Sequence, residues 1–155
     1  MLPDGFDWAT LAVRMGIAIL AGAVVGWDRQ RVGKSAGMRT HMLVSLGSCL
    51  FVMASGGAGG GADALSHAIQ GVATGVGFLG GGVILHRSRH DERGATVKGL
   101  TSAAAMWLTA ALGVASGAGL WRLVGVAALA AVVVLALIKP LERALFSKPD
   151  DDDQP

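Results

Sequence analysis

Runs of apolar residues separated by short polar segments divide the chain into five stretches, roughly Trp8 to Gly26, His41 to Ser55, Ala64 to Leu85, Gly99 to Gly117 and Leu120 to Ile138. Each is close to the roughly 20 residues with which a helix crosses a bilayer, and only the second is short. The pattern predicts an all-α membrane protein, a bundle of about five transmembrane helices.

The polar segments predict which way the chain faces, because short loops rich in Lys and Arg stay on the cytoplasmic side. Arg29, Arg31, Lys34 and Arg39 follow the first stretch, Arg87, Arg89, Arg93 and Lys98 follow the third, and Lys139, Arg143 and Lys148 follow the fifth. These are eleven of the thirteen basic residues. The opposite side has Asp4, Asp7, Asp63 and Arg122. The expected topology therefore has the N-terminus outside and the C-terminus in the cytoplasm.

Composition agrees, with 52% hydrophobic and 15% charged residues and 24 glycines, most of them in or beside the apolar stretches. A membrane domain over residues 1–146 accounts for nearly everything. Residues 147–155, with Asp150 to Asp153, read as an acidic, disordered cytoplasmic tail. The formal charge of +2 follows from the basic inner loops, so no nucleic-acid partner is expected. Asp4 and Asp7 stand where a cleaved leader would be basic, and the first stretch is expected to stay as a signal anchor. Cys49 is the only cysteine, which excludes an intrachain disulfide and a thiolate cluster and suits a small apolar filler.

Two motifs of soluble proteins occur out of context. Gly75, Gly77 and Gly80 satisfy a dinucleotide fingerprint but lie inside an apolar run with no strand before them. Gly33, Lys34 and Ser35 imitate the end of a phosphate-binding loop, yet Asp28 stands where its first glycine belongs. The glycines instead suit helix packing, since small residues four apart let helix backbones approach in a membrane. Gly22 and Gly26, Gly71 and Gly75, Gly77 and Gly81, and Gly113 and Gly117 are such pairs. With Gly80 and Gly82 added, the third span has glycine on several faces and is expected to be the central helix. The same glycines also permit a broken helix whose freed carbonyls could bind an ion.

Ionisable residues within a bilayer are costly, and Arg14 is the one clearly inside a span. It either snorkels outward or pairs with Asp7 or Asp63. No span has a central Asp or Glu, which argues against a carboxylate-lined path for magnesium or calcium. No cofactor is implied, and no metal-ligand set is legible. At the inner face, Asp28 is expected to pair with Arg39 or Lys98. There the starts of the second and fourth spans bring together Arg39, Thr40, His41, Lys98, Thr101 and Ser102, either as an anion or lipid-phosphate site or as helix caps. His86 and His90 read as solvated loop residues.

These blocks carry a family resemblance. Arg14, Gly22, Gly26, Asp28 and Arg29, then Ala36 to His41, then Gly75 to Gly82, then Lys98 to Ala104 with Trp107 and Thr109, together resemble the MgtC/SapB family. Asp28 stands where that family usually has Glu, Gly81 where Ala is common, Lys98 where Arg is usual and Ser102 where a second Thr is usual. The form without the ACT-like C-terminal domain that some members carry is expected. The resemblance implies a multi-pass inner-membrane protein connected with magnesium homeostasis and with stress or virulence adaptation. It also implies a regulator that binds another inner-membrane protein, the F-type ATP synthase among them. Contact with membrane lipids follows from the spans, and no nucleophile, base and orienting group converge as an enzyme would need. The alternative is a magnesium or other ion transporter with its path along the glycine-rich third span. A homodimer through the small-residue faces is a further expectation.

Overall fold

The computed structural model describes residues 7–57, 61–88 and 99–146, with side chains over 7–56, 61–85 and 99–136. Five helices follow in order: α1 (Trp8–Arg31), α2 (Met38–Gly57), α3 (Ala62–Ser88), α4 (Leu100–Gly117) and α5 (Trp121–Phe146). Among the described residues there is no strand. Three helices are long and apolar enough to cross a membrane: α1, α3 over Ala62–Leu85, and α4. Along α1, Trp8 and Trp27 are both more than half exposed, and the 19 helical steps from one to the other span about 28 Å. That distance matches a hydrocarbon core of about 30 Å edged by tryptophans.

The helix ends follow from local chemistry. Asp7 caps α1 by accepting from the main-chain N–H of Ala9 at 3.0 Å and of Thr10 at 3.2 Å. The Thr10 hydroxyl also donates to it, and this bond, followed by the two main-chain bonds, holds the Asp7 carboxyl below its ordinary pKa. A folded-state pKa below the unfolded value means the cap is complete above about pH 3.9 and is lost as the pH falls through the folded-state pKa. Amide exchange at Ala9 and Thr10 in lipid nanodiscs should therefore keep its protection from neutral pH down to about 4 and lose it below. In Asp7→Ala the protection should be low at every pH; a pH step that survives this change would assign it to another group.

Gly33 and Gly119 close α1 and α4 by one device. Each has positive φ, 63° and 77°, which glycine adopts without a Cβ penalty. Lys34 N–H reaches Arg29 O and Gly33 N–H reaches Gln30 O, while Leu120 N–H reaches Ala115 O and Gly119 N–H reaches Ser116 O. Both are Schellman closures that satisfy the last carbonyls and reverse the chain.

Two cores share α4. One joins Ala21 and Val25 of α1 to Ala105, Leu112 and Ala115 of α4 and Val124 and Ala131 of α5; the other joins Val72 and Val76 of α3 to Met106 and Ala110 of α4. Of the apolar windows, 56% of α4 is buried against 17% of α3. The central helix is therefore α4, with α2 beside it, and the expectation that the third span is central is corrected. Glycine permits close approach without compelling it, whereas α4 presents small residues to neighbours on several sides. Nor is α3 broken: it runs as one α-helix from Ala62 to Ser88, so its glycines free no carbonyls for an ion.

Candidate functional site

The buried stripe of α1 is Ala18, Ala21, Gly22, Val25, Gly26 and Arg29, spaced three and four apart, and Arg14 continues it by one turn. One helix face thus carries small residues between two arginines, set about 22 Å apart by the helical rise. Glycine on this face admits α2. A methyl group at Gly22 would lie 2.6 Å from the His41 carbonyl oxygen, and one at Gly26 would lie 2.6 Å from Met38 Cα. From the other side α4 reaches α2 in the same way, since a Cβ on Gly113 would overlap the Ser45 carbonyl and one on Gly117 would lie 2.7 Å from the Cys49 carbonyl oxygen. Backbone cannot yield to a methyl group as a side chain can, so these four glycines hold α2 between α1 and α4.

The face of α2 inside this clasp is small and polar. His41, Ser45 and Cys49 are fully buried and Ser48 nearly so. Ser48 Oγ donates to Val44 O at 2.8 Å, and Cys49 is the expected filler, its Sγ 3.4 Å from Met53 Sδ. His41 Nδ1 lies 3.0 Å from Gly37 O. A carbonyl only accepts, so Nδ1 carries the proton and Nε2 keeps a lone pair. Nε2 and Ser45 Oγ, one turn apart, are both buried without a hydrogen-bond partner. One is a lone pair able to accept and the other a hydroxyl able to donate.

At the α1 C-terminal end, Arg29 is 4% exposed and donates through Nε at 3.0 Å and through Nη2 to the same Asp28 oxygen, Oδ2. This is the only ion pair among the described residues, and Asp28 is partly buried within it. Of the expected partners of Asp28, Arg39 is exposed and makes no ion pair with it, while Lys98 lies outside the described residues. Arg29, named above for the family resemblance and not as the partner of Asp28, lies on the small-residue stripe of α1. Thr40 is half-buried and Thr101 exposed. The side chain of Gln30 caps α2, its Oε1 accepting from Met38 N–H at 3.1 Å, so a residue outside the expected inner cluster serves that helix start.

At the other end, Arg14 Nη1 donates to Gly117 O at 2.7 Å, and Arg14 Nη2 would lie 3.4 Å from a Cβ on Gly119. Its partner is thus the carbonyl end of α4, where the helix dipole favours a cation, instead of Asp7, which caps α1, or Asp63. Of the expected packing glycines, Gly22, Gly26 and Gly113 make main-chain contacts and Gly80 meets the Ala103 side chain. Gly71, Gly75, Gly77 and Gly81 meet nothing within 4 Å, and neither does Gly82. Their packing role within one chain is corrected. No group of three or more His, Cys, Asp or Glu side chains gathers among the described residues.

The comparisons with known proteins cover this whole architecture. The family model for the MgtC family matches residues 15–144, which run from α1 just after Arg14 through the clasp and into the last turn of α5. The chain belongs to the MgtC family. It is 48% identical over 149 residues to protein SrpB of Synechococcus elongatus, covering 92% of this chain and 81% of SrpB. It is 37% identical over 149 residues to YhiD of Escherichia coli, whose name proposes magnesium transport, covering 90% of this chain and 66% of YhiD. With MgtC of Brucella abortus it shares 38% over 128 residues, 83% of this chain and 51% of that protein. The chain thus spans about half to four-fifths of these relatives' length. No solved structure matches it. In this structure Gly22, Gly26 and Gly113 hold the α2 clasp, while Arg14, Asp28 and Arg29 stand at its two ends.

Proposed function

We propose that this MgtC-family chain is a non-enzymatic, multi-pass protein of the bacterial inner membrane that serves magnesium homeostasis and stress or virulence adaptation by binding membrane partners. In this reading all five helices cross the bilayer, with the N-terminus outside and the C-terminus cytoplasmic, as the basic loops demand. The observation that carries it is the open glycine face of α3. Gly71, Gly75, Gly77, Gly81 and Gly82 have nothing packed on them, and Phe78 beside them is 84% exposed. Between α3 and α2 runs an apolar groove of about 710 Å³ floored by Gly47, Gly71 and Gly75. In lipid, association of helices rests on such close backbone approach, and a face left uncovered in the monomer is available to a helix of another protein. The family resemblance supplies the F-type ATP synthase as the first partner to test and a second copy of this chain as the next.

Magnesium transport is the second reading, favoured by the name of YhiD. Two measurements separate them. Photocrosslinking from position 78 in native membranes should capture another inner-membrane protein, and Gly75→Leu should abolish that product while leaving the monomer folded. Magnesium uptake into proteoliposomes holding the purified protein should equal that of empty vesicles. Uptake above the empty vesicles would replace the partner reading with transport, and crosslinks confined to a second copy would replace it with a homodimer.

A further inference from the structure

A second groove, between α1 and α5, fits a different occupant. Leu20, Ala23, Val24 and Trp27 of α1 face Val132 and Ala136 of α5 across about 640 Å³ of apolar space. At its α1 C-terminal rim stand Asp28 and Arg31. From Leu20 to Trp27, at the edge of the hydrocarbon core, the groove follows α1 for about 10 Å by the helical rise, within one leaflet of a core of about 30 Å. A partner helix would need the full thickness; one acyl chain occupies one leaflet.

Charge selects the headgroup. Both Arg29 donors fall on Asp28 Oδ2, so Asp28 is compensated from within the bundle. Arg31 is exposed and has no ion pair among the described residues, which leaves the rim positive. Trp27, 58% exposed at the same level, is the residue type that sits among headgroups. We propose that the α1–α5 groove is a binding site for an anionic phospholipid, with an acyl chain along Leu20, Val24 and Val132 and the phosphate at Arg31. This site is independent of the α3 face and of any partner bound there.

The test reads Trp27 directly. In a protein retaining only this tryptophan (Trp8→Phe, Trp107→Phe, Trp121→Phe), nanodiscs are made with acyl-brominated phosphatidylglycerol or phosphatidylcholine at equal mole fraction. Quenching should report a preference of about fivefold for phosphatidylglycerol, the factor one arginine near the membrane surface supplies. Arg31→Gln should bring the ratio to about one, and Ala23→Leu, which fills the groove while keeping Arg31, should reduce quenching by both lipids. Equal quenching in the unmodified groove overturns the proposal. A preference that survives Ala23→Leu overturns it too, by assigning the effect to attraction at the surface alone. Loss of the preference on adding inorganic phosphate would make the rim a site for free anions instead.

Discussion

Gly113→Ala should separate α2 from α4 and cost about 2 kcal/mol or more of stability, net of the roughly 1 kcal/mol that alanine gains over glycine in a helix. The added methyl would overlap the Ser45 carbonyl, which is main chain inside α2, and only a shift of one whole helix relieves it. Such a shift also opens the contact of Gly117 with Cys49 and Val52 one turn away. Gly75→Ala provides the contrast, because nothing lies within 4 Å of the new methyl. It should be neutral or stabilising by up to about 1 kcal/mol. Unfolding of both variants in mixed micelles, followed by tryptophan fluorescence, compares them under one condition. Equal midpoints for the two would mean that α2 is not held by backbone contact with α4.

Asp28→Ala should be the costly change among the charged residues. It strands the Arg29 guanidinium, which is 4% exposed and has this one carboxylate among the described residues. Removing one partner of a buried pair costs about 3–5 kcal/mol, and the partial exposure of Asp28 places this case at about 3. Asp28→Ala combined with Arg29→Met should recover most of the loss, since an apolar residue of similar length removes the stranded charge. The same unfolding measurement completes the double-mutant cycle. A double variant less stable than Asp28→Ala alone would show that Arg29 contributes through something other than its pairing. The size of the effect also bears on transport assays, where Asp28→Ala would confuse loss of flux with loss of fold.

The helices outrun their apolar windows in a consistent way. The first stretch ends near Gly26 by hydropathy, yet α1 continues to Arg31, because a helix needs no lipid once Asp28, Arg29 and a glycine closure satisfy its end. Likewise α2 starts at Met38, ahead of the apolar run, where Gln30 caps it. Within the second stretch the buried face of α2 carries His41, Ser45, Ser48 and Cys49, small and polar side chains that hydropathy alone does not mark as core.

Sequence alone determined the number and order of helices, because apolar runs of bilayer length and glycine reversals are local properties. It also marked the small-residue pairs, since three-and-four spacing is a property of one helix. Tertiary structure decided which pairs are used. Gly22, Gly26, Gly113 and Gly117 face backbone because α2 lies opposite them, while a Cβ on Gly71, Gly75, Gly77 or Gly81 would meet nothing within 4 Å among the described residues. Tertiary structure also gave Arg14 to the carbonyl end of α4 and Asp28 to its neighbour Arg29. The pairing of a charge depends on which groups are desolvated beside it, and that is set by helices far apart in sequence meeting in space.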